Sequence, residues 1–409
     1  MMEPKTGRAR PARAGAAMLA AALAAELVDE LADGAKSASV PLIQQTLHLT
    51  LAQVGLLASV PLLLGSLLEL PLGILAGTGR RRRLAVLAGG ALFIMALAGV
   101  AAARSFAELL TAFVIFFPAS GAFVGLTQSG LMDSDPARRA RHMARWELAG
   151  SAGAVAGPFV VIAVLAAGGG WRSAYLVLAM AAAAAWVAVA RNPPTPAVPG
   201  EAARPGETSG LGAAAGARDV LAALRKPGVA RCLILLQVCD LLLDVLTGFL
   251  AVYLVDAGRA TPAQAALGVA VRLGAGLAGD AVLVWAIDRA GALSLLRASA
   301  AAAALLYPAF LITPGIAAKL VLLACVSAVT APWYPVLQAE LYECLPGQSG
   351  VAVTLSSAAG LLGGAGPLAV GFAAQHVGLA WALAGLAVVP AILLGGLWRW
   401  PRRDGAPPA

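Results

Sequence analysis

An all-α integral membrane fold, with twelve transmembrane helices in two pseudo-symmetric six-helix bundles, is the architecture this sequence predicts. Three observations predict it. First, 60% of the 409 residues are hydrophobic and only 12% charged, against about 25% charged in a soluble protein. Second, apolar runs near the ~20 residues needed to cross a bilayer recur along the whole chain. Third, the polar positions of the first two runs return, in order and without a gap, 211 residues later.

The spans fall at 17–41, 52–76, 84–103, 107–131, 147–168, 172–191, 231–255, 262–286, 293–312, 317–341, 350–375 and 378–399. They divide the chain into a first bundle (1–192), a linker (193–228) rich in Pro, Gly and small residues, and a second bundle (229–409). The N-terminal Lys5, Arg8, Arg10 and Arg13, followed by an alanine-rich run, imitate a signal peptide. The apolar run continues past its acids to Ile43 and its polar pattern recurs, so it is read as span one.

Arginine placement sets the orientation. With the N-terminus inside, Arg80–Arg83, Arg138, Arg139, Arg141, Arg145, Arg289, Arg297, Arg399, Arg402 and Arg403 are all cytoplasmic. The opposite side keeps only Arg104, Arg172, Arg259 and Lys319. Both termini are therefore expected in the cytoplasm, in a plasma (inner) membrane. The net charge of +8 is explained the same way, and no nucleic-acid partner is expected. The expected partners are lipid bilayer, a small-molecule substrate and protons, with the chain acting as a monomer.

Span one is the anomaly. Glu26, Asp29, Glu30, Asp33 and Lys36 share one face of it. Four carboxylates facing lipid would be unfavourable by roughly 3 kcal/mol each, so the face must look onto protein or water. At the repeat offset Asp29 falls on Asp240, Asp33 on Asp244, Glu26 on Gln237 and Lys36 on Thr247. Gln53 falls on Gln264, Gly65 on Gly276 and Glu69 on Asp280. Near the same shift Gln128 meets Gln338, and Gly157-Pro158 meets Gly366-Pro367. Parallel repeats with midplane acids are a transporter pattern, and the acids of the two halves are expected to face one cavity.

Here the chain resembles the major facilitator superfamily. Gly73-Ile-Leu-Ala-Gly-Thr-Gly79 followed by Arg80–Arg83 is similar to that family's loop signature G-x-L-a-D-R-x-G-R-R. It departs at Gly77, where the signature has Asp; the second copy keeps the acid, as Asp288-Arg289-Ala290-Gly291. Gly150, Gly153, Gly157 and Pro158 of span five resemble the G-x-x-x-G-P motif of drug–proton antiporters. The acidic first helix leading to Pro41 is similar to efflux members, including fosmidomycin-resistance-type proteins. The resemblance implies secondary transport by alternating access.

Asp29, Asp33, Asp240 and Asp244 are the candidate proton and substrate groups, with Glu26 and Glu30 as cavity lining. Burial and like-charge crowding both favour a neutral carboxyl, so such groups can exchange a proton for a cation. The structural alternative is acids paired with Lys36 or Arg272. Lys36 lies one turn from Asp33, which favours a local pair. Arg272 requires a partner, an acid such as Asp240 or Asp244 or a substrate group. Glu69, Asp280, Asp288 and Arg289 are assigned to a cytoplasmic gate. Glu147 is read as a first-turn acid of span five. Gly153, Gly157, Pro158, Gly366 and Pro367 are assigned to packing and hinging. Pro332-Trp-Tyr-Pro335 predicts either an interruption of span ten or plain packing.

The three histidines are too scattered for a metal site, and no nucleotide-binding loop or catalytic motif is present. No metal, cofactor or enzymatic activity is expected. The acid-heavy cavity points to proton-coupled export of a cationic or amphipathic compound. The alternatives are proton-coupled uptake of a small polar or anionic solute held by Lys36 and Arg272, and a non-transporting scaffold or receptor.

Overall fold

The computed structural model describes residues 9–76, 80–134, 139–192, 222–345, 355, 359–360 and 363–398. Every regular element among them is helical. Nine described helices are long and apolar enough to cross a membrane. Span one (Ala9–Leu47) is a single 39-residue helix, about 58 Å long at 1.5 Å per residue. Its alanines favour the helix, and its seven charged residues, five of them between Glu26 and Lys36, make it less apolar than those nine. Outward-facing Leu305, Ile312 and Met180 are 77%, 80% and 65% exposed, a surface suited to lipid rather than water.

Span two is Leu51–Ala76 and span three Arg80–Ala102. Span four comes in three pieces: Phe106–Ser120, a π-helical turn Gly121–Gly125, and Leu126–Ser134. Spans five and six are Arg139–Ala166 and Trp171–Arg191. Span five thus starts earlier than its hydropathy indicates. The arginine-rich stretch before Trp146 continues the helix, so Glu147 lies well inside it rather than in its first turn. Spans seven, eight and nine are Pro227–Asp256, Pro262–Ala290 and Ala292–Ile312. Span ten is interrupted between Ile316–Thr330 and Trp333–Cys344, at the predicted Pro332 position. In span eleven a helix begins at Gly366, so Pro367 opens a new helix instead of bending a continuous one. Span twelve is Leu379–Gly385 and Val388–Trp398.

The repeat survives in atomic detail. Thr50 and Gln53 cap span two reciprocally: Thr50 N–H donates to Gln53 Oε1 at 2.9 Å, and Gln53 N–H to Thr50 Oγ1 at 3.2 Å. Thr261 and Gln264, 211 residues on, make the same two bonds at 2.9 and 3.2 Å on span eight. Just before each cap, His48 and Arg259 share a left-handed backbone, both with φ 51°. That conformation is uncommon for any residue but glycine, so its recurrence at one register is specific.

The chain forms two compact units. The first comprises Met1–Ala202, Gly248–Leu273 and Pro367–Gln375; the second, Ala203–Thr247, Gly274–Gly366 and His376–Ala409. In the first unit span one packs on span five, span three on spans four and six, and span two on span four. Phe93, Phe113, Phe116, Phe123 and Tyr175 interlock there as tilted and edge-on rings. In the second unit span nine packs on spans ten and twelve. Tyr307 donates to Leu383 O at 2.9 Å, and the buried Lys319 ammonium donates to Phe310 O and Leu311 O, each at 2.9 Å. Lys319 thereby satisfies the open carbonyl end of span nine.

Candidate functional site

Glycine brings span five against the acidic helix. A Cβ on Gly153 would strike Leu27 O, one on Gly157 would strike Leu31 O and lie 2.5 Å from Ala35 N, and one on Gly34 would strike Ala154 O. A Cβ on Gly150 would lie 2.6 Å from Glu26 Oε1. The two backbones touch, as small residues permit in a membrane, and this contact fixes the rotation of span one.

Held in that rotation, Glu26 and Asp29 line a cavity of about 290 Å³ with Ser120, Gly125, Gln128 and Trp146. A space of that size lined by polar groups can admit water. Ser120 Oγ donates to Asp29 Oδ2 at 2.8 Å. The buried Trp146 indole stands beside Glu26, and Glu147 adds a carboxyl near Glu26 and Glu30. The wall opposite span one is the π-helical turn, where Leu126 N–H reaches back to Gly121 O. A π-turn adds one residue to the helical circuit, and such turns recur at functional sites.

One turn further along span one, the Lys36 ammonium donates to Asp33 Oδ1 at 2.6 Å and lies 4.7 Å from the centre of the Phe117 ring. The Lys36 side chain is 21% exposed and that of Asp33 47%, so the acid of this pair stays open to a ligand. Phe117 is held by Gly65 of span two, where a Cβ would meet Phe117 Cβ at 2.6 Å. Ser39, next along the face, donates to Lys36 O at 3.1 Å and lies 3.4 Å from Tyr175 Oη.

The second unit repeats part of this. Gln237 Nε2 lies 3.5 Å from Asp240 Oδ2, and a Cβ on Gly363 would lie 2.5 Å from Gln237 Oε1. Gln237, at the repeat position of Glu26, thus also lies against a glycine of another helix, although Gly363 is not the repeat position of Gly150. A Cβ on Gly366 would meet Leu241 Cδ1 at 2.8 Å. Asp244 is exposed beside these residues, and Thr247 Oγ1 donates to Leu243 O at 2.7 Å.

The remaining candidates are divided between the two units. Arg272 is half-buried and belongs to the first unit, whereas Asp240, Asp244 and Asp280 belong to the second. Asp280 is exposed, next to Gly279, which packs on Ala328 O. Arg289 donates to Trp285 O at 2.7 Å and lies over that ring at 4.1 Å. The side chains of Glu69 and Asp288, together with residues 77–79 and 193–221, lie outside the described residues. Ser120, Gln128 and Trp146 line the cavity without any charge or motif that marks them in the sequence. The available signal was Pro118, which removes a helix donor, just ahead of Gly121 and Gly125.

The sequence matches no curated protein closely enough to count as a relative. Among solved structures, the nucleoside transporter NupG is similar at a TM-score of 0.76 and 12% identity, over 93% of this chain and 99% of that one. A bacterial homologue of the human lysosomal transporter Spinster, inward-facing and unoccupied, is similar at 0.73 and 15%, over 95% and 99%. The peptide transporter POT in complex with sulfate follows at 0.67 and 14%, over 92% and 93%. The profile of the Major Facilitator Superfamily matches residues 22–365, and the chain is a multi-pass membrane transporter belonging to that family.

Proposed function

We propose that the protein exports a cationic or amphipathic solute across the plasma membrane in exchange for protons, by alternating access. The cavity carries this reading. Two carboxyls, an indole, a hydroxyl and an amide surround about 290 Å³, and among the described residues no basic side chain lines it. Carboxylates attract a cation, and an indole face adds to that attraction. A carboxyl oxygen that holds a proton does not also hold a cation, so one site serves both in turn and coupling follows from competition. Asp240 and Asp244 supply corresponding acids in the second half, and rocking of the halves carries the site from one side to the other. Lys36 is already engaged by Asp33, which weakens the reading as an anion importer. The acidic first helix and glycine-rich span five agree with an efflux subtype.

The test uses inside-out vesicles with an acidic lumen and a panel of fluorescent organic cations. Gradient-driven cation accumulation is expected, and Asp29→Asn or Asp240→Asn should abolish it at normal expression. Response to anionic solutes alone, lost only in Arg272→Gln, would replace this reading with uptake.

A further inference from the structure

Span eleven restarts inside its predicted membrane segment. Gly363 is helical, the backbone turns at Gly364–Ala365, and a new helix runs Gly366–Val377. A helix start leaves its first N–H groups without acceptors of their own. Pro367 has no N–H to satisfy. Leu368 N–H instead donates to Ser59 Oγ of span two at 3.1 Å, across 309 residues of sequence. Ser59, fully buried at 0% exposure, does from another helix what an N-cap does locally.

Around this bond the two helices meet through backbone. A Cβ on Gly55 would lie 2.7 Å from Pro367 O and 3.1 Å from Leu368 Cα. One on Gly371 would lie 2.7 Å from Leu51 O and 3.2 Å from Gly55 Cα. A Cβ on Gly248 of span seven would meet Ala58 Cβ at 3.6 Å. All these residues belong to the first unit, yet spans two and eleven come from different halves of the repeat. The arginine distribution places this crossing on the side away from the termini. At the repeat positions of Gly55 and Ser59 stand Ala266 and Ala270, so the second half carries no matching hydroxyl.

We propose that Ser59 is a latch of the transport cycle. Its hydroxyl caps the broken end of span eleven only while the non-cytoplasmic side is shut, and losing it favours the state open on that side. The proposal rests on the alternating-access reading but not on the identity of solute or coupling ion.

The test places a reporter cysteine at Ala58 in full-length protein whose four native cysteines are replaced by alanine. A membrane-impermeant maleimide is added to the non-cytoplasmic side of oriented vesicles. Ser59→Ala should raise the labelling rate about fivefold, the factor typical of a lost N-cap. Ser59→Thr, which keeps the hydroxyl, should label at the parent rate. Gly371→Ala should raise labelling independently, by wedging the crossing. Raised labelling in Gly371→Ala with no change in Ser59→Ala overturns the latch and leaves the glycine crossing as the closure. Equal increases in Ser59→Ala and Ser59→Thr also overturn it, as does labelling from the cytoplasmic side alone. No change in any of the three variants overturns the latch and leaves the alternating-access reading to the vesicle flux assay.

Discussion

Replacing Gly157 with alanine should loosen the helix that carries the acids. The added Cβ would lie 2.5 Å from Ala35 N and 2.8 Å from the Gly34 carbonyl carbon, besides striking Leu31 O. Ordinary contact is ~3.5–4 Å, so spans one and five must part by roughly 1 Å. All three neighbours are backbone, and no side chain can swing away. Overpacking of this kind is destabilising by about 1–3 kcal/mol, or roughly 2–10 °C in Tm for a unit of ~200 residues. The same movement separates the Glu26 and Asp29 wall from Trp146, so solute affinity should fall with stability. The control is Gly276→Ala. Gly276 shares the repeat register of Gly65, yet no described residue lies within 4 Å of a Cβ placed there. Alanine at that site should be neutral or gain up to ~1 kcal/mol of helix propensity. Tryptophan-fluorescence melts of both purified variants check this. Equal Tm losses in the two, or none in Gly157→Ala, would refute the packing argument.

Other expectations concern single side chains. Asp29→Asn keeps the size of the side chain and an acceptor for Ser120. It should fold normally, yet lose about 3 kcal/mol of attraction for a cation at ~5 Å and an effective dielectric of ~20, on the order of a hundredfold in affinity; equilibrium dye binding measures it. Ser120→Ala removes one hydrogen bond to Asp29, expected to shift solute affinity by about 1 kcal/mol with little change in Tm. Lys319→Met leaves the Phe310 and Leu311 carbonyls uncapped. It should lower stability by about 1–3 kcal/mol, while gradient-driven flux per folded molecule is unchanged.

Much of the architecture was readable because hydropathy and rare polar residues report on it directly. The spans follow from apolar length, and the halves from Asp29, Asp33, Asp240 and Asp244 at one offset, later matched by the two Thr–Gln caps. The site was less readable. Asp29 stood out because a carboxylate in an apolar run is costly, but Ser120 and Trp146 are ordinary membrane residues. Whether they face Asp29 depends on how each helix is rotated about its axis. The π-turn is a change of register that leaves hydropathy untouched. Glu147 lies deeper in its helix than hydropathy indicates because Arg139–Arg145 is too polar to look like membrane helix, although nothing in it breaks one. Pro367 could bend a helix or start one, and the turn at Gly364–Ala365 decides the second.

The central claim is that carboxylates inside the membrane line a wet cavity that prefers cations. The most direct measurement is the reactivity of Ser120→Cys, in protein lacking the native cysteines, toward cationic trimethylammonioethyl and anionic sulfonatoethyl methanethiosulfonates. The account predicts that the cationic reagent reacts at least about tenfold faster, one decade being ~1.4 kcal/mol. It also predicts that Glu26→Gln with Asp29→Asn removes the preference. Equal rates, a faster anionic reagent, or no reaction with either would contradict it.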